Sequence, residues 1–152
     1  MHLAWQIKTF SELNLNELHD IIALRLKVFV VEQNCVYQDL DGKDKKCYHV
    51  ICRDGQGNIV STARILNPGI SYPEVSIGRV VVDESIRKHR VGHELINKCF
   101  EYIRAEFGDV SITISAQKYL ENFYAQHGFK SVDNEYMEDG IPHLEMKYKG
   151  NK

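Results

Sequence analysis

The apolar positions of this chain change their period several times, and each change marks an element. Ala4 to Thr9 reads as a first strand. Leu15, Leu18, Ile21, Ile22, Arg25, Leu26 and Phe29 then recur at helical spacing, behind Asn14 as a cap with Glu17 three residues on as its reciprocal partner. From Asn34 to Lys46 the pattern is polar and irregular. His49 to Arg53 and Ile59 to Leu66 read as two strands, and Asp54-Gly55-Gln56-Gly57-Asn58 between them predicts a hairpin. After a connection marked by Pro68, Gly69 and Pro73, Val75 to Asp83 is a β-branched strand. Val91 to Phe107 is an amphipathic helix with Leu95, Ile96, Cys99, Phe100, Ile103 and Phe107 on one face. Val110 to Ile114 alternates as a half-buried strand does. Gln117 to His127 predicts a short helix closed by Gly128, and Phe129 to Val132 and Leu144 to Tyr148 the last strands.

The order strand, helix, three strands, helix, strand, helix, two strands belongs to an α/β protein of the α+β type. Its middle implies a crossover with parallel pairing and its ends antiparallel pairing, so a mixed sheet covered by helices is expected. With no linker, repeat or low-complexity segment, residues 4–149 read as one domain.

Length and composition narrow the class. A chain of 152 residues can bury roughly 70% of the surface it exposes when unfolded, so it needs no metal or disulfide staple. Nineteen basic against 21 acidic residues argue against a general nucleic-acid binder. Met1 to Lys8 lacks the apolar core of a signal peptide, and runs such as Val28 to Val31 are far too short to span a bilayer. Cys35, Cys47, Cys52 and Cys99 show neither C-x-x-C pairing nor zinc-ligand rhythm with the histidines. They read as free thiols in a reducing cytoplasm, with no metal and no membrane partner expected and homodimerisation left open.

The segment with the richest chemistry runs from Gly78 to Leu95: a strand, a basic loop of Arg87, Lys88, His89 and Arg90, and a helix start at Val91, Gly92 and His93. Free N–H groups and partial positive charge make a helix N-terminus an anion site, and three or four added cations point to a diphosphate. A solvated basic loop is the competing reading. Downstream, Gln117 is followed seven residues later by Tyr124 and then by Gly128-Phe129.

Taken together, these two segments resemble the GNAT superfamily of acyl-CoA-dependent N-acetyltransferases. Arg87, Arg90 and Gly92 occupy the positions of its Gln/Arg-x-x-Gly-x-Gly/Ala loop, with arginine where the first glycine usually stands. Gln117 occupies the position of a family asparagine. Leu24 to Gly42 and Glu138 to His143 further resemble the ElaA-like branch. The resemblance implies a mostly antiparallel, twisted mixed sheet whose fourth and fifth strands splay, with helices on both faces. It implies acetyl-CoA as co-substrate and an amine, small molecule or protein, as acceptor. Arg87 to His93 and Gln117 would hold the cofactor, and the backbone of Val80, Val81 and Val82 would bind the pantetheine arm and thioester carbonyl. Tyr124 would face the departing sulfur.

The chemistry asks more of the base than of the acid. At pH 7 a lysine-like amine of pKa ~10.4 costs roughly 4–5 kcal/mol to deprotonate, against roughly 2 for the leaving thiol. Tyr124 is the candidate acid, with a core aromatic as its alternative. Glu32, His49 and His143 are candidate bases, and each also has a plain structural reading. The acidic residues Glu32, Asp39, Asp41 and Asp44 could draw in a cationic amine or form an ordinary polar loop. Their glycine falls too early for a calcium loop and the closing glutamate is missing. Two rival functions stay open: a non-catalytic acyl-CoA sensor, and transfer of a longer acyl chain, as in the acyl-homoserine-lactone synthases that the start of the domain loosely resembles.

Overall fold

The computed structural model describes residues 2–152. Strands β1 (Ala4–Thr9), β2 (Cys47–Arg53), β3 (Ile59–Leu66) and β4 (Ser76–Val82) form one antiparallel sheet in that order. Strands β5 (Ile112–Gln117), β6 (Lys130–Glu138) and β7 (Ile141–Tyr148) form a second, in the order β5-β7-β6. The two sheets meet through one parallel bridge, Val75 to Ile112, where the Thr113 N–H donates to the Val75 carbonyl at 3.0 Å. Beyond that bridge β4 and β5 part, which is the expected splay.

Helix α1 (Leu15–Arg25) starts on the predicted reciprocal cap, with Asn14 accepting from the Glu17 N–H at 2.7 Å and Glu17 from the Asn14 N–H at 3.0 Å. Its predicted end at Phe29 is not observed: from Leu26 to Glu32 the chain winds as a π-helix. Gln33 and Cys35 donate five residues back, to Val28 and Val30. The wider turn changes which side chains face inward, a common device at functional sites.

Helix α2 (Val91–Phe107) packs Leu95, Ile96, Cys99, Phe100 and Ile103 into the main core with Val50, Ala63, Ile65 and Ile77. Leu24 and Val28 cover Val81 in a smaller core. Helices therefore lie on both faces, as expected. The predicted helix from Gln117 to His127 is shorter: a 3-10 turn over Lys118–Leu120 and then α3 (Glu121–Ala125). β6 and β7 run several residues longer than the apolar pattern suggests, joined by a turn at Asp139 and Gly140.

The irregular stretch before β2 is fastened by buried charge. Arg25, almost wholly buried, pairs with Asp44 at 2.7 Å and Asp39 at 2.8 Å. Arg64 on β3 reaches Asp41 at 2.8 Å and Asp44 at 3.2 Å. Arg79 on β4 reaches Asp39 at 3.0 Å and lies over the Tyr37 ring. Breaking a buried pair by removing one partner typically costs about 3–5 kcal/mol, so this network anchors the segment to the sheet.

Candidate active site

One cleft of about 510 Å³ opens at the splay. One wall comes from α2 and α3, the other from the π-helical turn and the β6–β7 hairpin, with β4 along its floor. Eleven of the predicted site positions line it: Val80, Val81, Val82, Arg87, Arg90, Gly92, His93, Gln117, Tyr124, Glu32 and His143; Leu120 and Phe123, beside Tyr124, line it too.

The floor is shaped by a bulge. β3 and β4 pair Thr62 with Val81 and Arg64 with Gly78, so Arg79 and Val80 together oppose Ala63. Arg79 takes a left-handed φ of 48°. Such strain costs about 1–3 kcal/mol and needs outside support, which Asp39 and the Tyr37 ring supply. The bulge breaks the ladder where β4 faces the splay.

The anion-binding end is built from backbone. The first bond within α2 runs from the Glu94 N–H to the Arg90 carbonyl, 3.2 Å, and no side chain caps the helix. The N–H groups of Val91, Gly92 and His93 therefore lack intrahelical acceptors. Arg90 has φ 58° and ψ 24°, so it adopts the left-handed conformation of the glycine it replaces rather than ordinary torsions. A Cβ on Gly92 would come within 3.3 Å of the Phe123 ring, which explains glycine there. The Val91 side chain is buried against Cys52, Val60 and Ile86, leaving only its N–H for a ligand. Lys88 and His89 lie outside the cleft lining; they are exposed, in a 3-10 turn (Glu84–His89) that replaces the expected open loop.

His93 and His127 are 2.9 Å apart, Nδ1 to Nε2, so one donates to the other and at least one ring is neutral. Burial lowers both below the usual histidine range. Across the splay Gln117 and Gln33 exchange two amide hydrogen bonds of 3.2 Å.

Tyr124 is 7% exposed and packs edge-on against Phe123 and Phe129. Burial pushes its phenol well above the usual tyrosine value, so it holds its proton at neutral pH. His143, also 7% exposed, stands on the other wall. Its Nδ1 is 2.8 Å from the Ile141 carbonyl, which can only accept, so Nδ1 carries a proton. Nε2 is left 3.2 Å from a Glu138 carboxylate oxygen. Tyr136 stacks on the ring at 6.0 Å. Glu138 was not legible as a site residue, because its approach to His143 depends on how the two strands of the hairpin pair.

Two candidate bases do not fit. His49 is buried on β2, donating from Nε2 to the Asp44 carbonyl at 2.8 Å, and does not line the cleft. Glu32 does line it, but Arg87 grips its carboxylate and holds it below the usual carboxylate range, the reverse of what a proton acceptor needs. The idea that Glu32, Asp39, Asp41 and Asp44 attract an amine is also corrected, since each is paired with an arginine. Among the described residues one grouping, Asp44, Cys47 and His49, has metal-ligand composition. Its carboxylate is already taken by Arg25 and Arg64, and burial pushes the Cys47 thiol up to about 12.

A splayed β4/β5 pair beside an uncapped helix start is the architecture of an acyl-CoA-dependent transferase. The acetyltransferase (GNAT) domain family matches residues 12–149, and the chain belongs to that family. Within it the chain falls in the ElaA-like branch: it is 41% identical over 148 residues to protein ElaA of Escherichia coli K12, covering 95% of both chains. The crystal structure of Escherichia coli ElaA superposes with a TM-score of 0.90 at 39% identity, covering 97% of this chain and 100% of that one. An acyl-CoA N-acyltransferase from Pseudomonas aeruginosa superposes with a TM-score of 0.91 at 35% identity, covering 97% and 99%. Among the described residues no helix is long and apolar enough to cross a membrane.

Proposed function

We propose that this protein transfers an acetyl group from acetyl-CoA directly to an amine, in the cytoplasm and without a metal. The observation that carries this is one cleft holding uncapped helix N–H groups, a bulged strand edge, a protonated Tyr124 and the His143–Glu138 pair.

The α2 N–H groups, Arg87 and Arg90 hold the diphosphate, and the amides of Val80 to Val82 receive the pantetheine arm. His143 Nε2 accepts a proton from the bound ammonium, and Glu138 stabilises the imidazolium until it reaches solvent. The neutral amine then attacks the thioester carbonyl. A β4 N–H donates to the oxyanion, a contact stronger in the transition state than in the ground state. As the C–S bond breaks, Tyr124 protonates the thiolate, and the second proton, shed by the attacking nitrogen as it becomes an amide, returns to Tyr124 through water. The balance is ammonium plus thioester giving amide, free thiol and one proton.

Calorimetric titration with acetyl-CoA, followed by an amine screen read by thiol release, tests this. Binding with amine-dependent release supports it. Binding without release selects the sensing alternative, and faster release from longer acyl-CoAs selects the long-chain one. In His143→Gln, turnover should fall about 10²–10⁴-fold with acetyl-CoA affinity kept.

A further inference from the structure

We infer that the acceptor is a cationic primary amine on an uncharged, apolar body, with no carboxylate beside the nitrogen. The inference rests on the acyl-transfer reading above.

It comes from the charge left over on the acceptor wall. Val28, Phe29 and Ile141 give that wall an apolar surface, and Glu138 and Asp139 give it negative charge. Asp139 stands at the tip of the hairpin with φ 51°. Its backbone carbonyl accepts from the Cys35 thiol at 3.3 Å, which joins hairpin and π-helical segment at the cleft. Among the described residues its carboxylate makes no ion pair.

Among the described residues, the arginines on or beside this wall already face carboxylates. Arg79 is engaged by the Asp39 carboxylate at 3.0 Å, the Asp39 carbonyl at 3.0 Å and Asp41 at 3.4 Å, over the Tyr37 ring. Arg87 is held by both oxygens of Glu32. Arg90 belongs to the α2 start on the other wall. A free amino acid would bring its carboxylate toward Glu138 and Asp139 without a partner, and like charges brought together penalise binding. A simple ammonium meets complementary charge, and its apolar body meets apolar side chains.

Matched pairs differing only in the carboxylate test this: 2-phenylethylamine against phenylalanine, and 3-methylbutylamine against leucine. Each is assayed for turnover with acetyl-CoA and for binding to the protein–CoA complex by calorimetry. We expect both simple amines to be preferred at least tenfold. The preference should shrink severalfold in Asp139→Asn, which keeps the hairpin's left-handed turn, while acetyl-CoA affinity stays at the wild-type value. Amino acids accepted or bound as well as the amines overturn the inference. So does a preference unmoved by Asp139→Asn, and so does failure of all four to bind the CoA complex. Failure of the acyl-transfer reading shows separately, as no binding of acetyl-CoA, or as amines binding the CoA complex with no thiol release.

Discussion

Arg87 and Glu32 face each other as a two-pronged ion pair, joining the loop before α2 to the end of the π-helical turn across the mouth of the cleft. The diphosphate proposed to bind there must compete with a carboxylate for the same guanidinium. Both side chains are partly exposed, 40% and 34%, and such pairs contribute about 1 kcal/mol or less. Glu32→Gln should therefore tighten acetyl-CoA binding by up to about fivefold, with turnover near wild type. A loss of turnover of 10²-fold or more with unchanged affinity would restore Glu32 as the base.

Tyr124→Phe keeps the ring and its contacts with Phe123 and Phe129 but removes the proton. Folding and acetyl-CoA affinity should barely change. A general acid contributes about 10²–10⁴ in rate. The low end is expected, because the thiol leaves readily and the buried phenol gives up its proton reluctantly. Wild-type turnover where chemistry limits the rate would leave Tyr124 as packing.

Arg90 holds a conformation that suits glycine, at a cost of about 1–2 kcal/mol for a side chain. Arg90→Gly relieves that strain but gives the unfolded chain more freedom, so the net gain should be under about 1 kcal/mol, read as a small rise in denaturation midpoint. The lost charge should weaken acetyl-CoA binding, more at low salt than at high. A destabilised variant, or one that binds as well as wild type at low salt, would contradict this account.

Glu17 ties α1 to β1 and β2. Burial alone would raise its carboxyl, but Lys8 at 2.8 Å, the Asn14 N–H and Arg53 at 2.7 Å outweigh it and bring the value down from 4.5 to about 2. Because the folded value is depressed, the stabilisation is complete above the unfolded value and is lost as pH falls from about 4.5 toward about 2. Its size is on the order of 2–3 kcal/mol. Glu17→Gln should be less stable at pH 7 and show a shallower loss of stability between pH 5 and 2. Parallel urea midpoints across that range would remove Glu17 from the acid response.

Element types were largely legible because periodicity is local: the alternation of β5 and the α2 stripe need only a dozen neighbouring residues. The Asn14–Glu17 cap was legible for the same reason. Boundaries set by partners were not. The longer β6 and β7 are polar at their ends and exist because each pairs with the other. The π-helical turn breaks no sequence rule, since a one-residue change in hydrogen-bond spacing leaves the apolar pattern almost intact.

The site divides along the same line. By itself, the sequence determined the basic loop at a helix start, Tyr124 behind Gln117, and the family these imply, because spacing along one strand–helix unit fixes which groups sit together. Only the tertiary structure decided what each charge is free to do. It put Arg87 on Glu32, distributed Asp39, Asp41 and Asp44 among three arginines, buried His49 away from the cleft and brought Glu138 to His143. Coulombic attraction and hydrogen bonding act over a few ångströms in space, whereas those partners lie up to 55 residues apart along the chain.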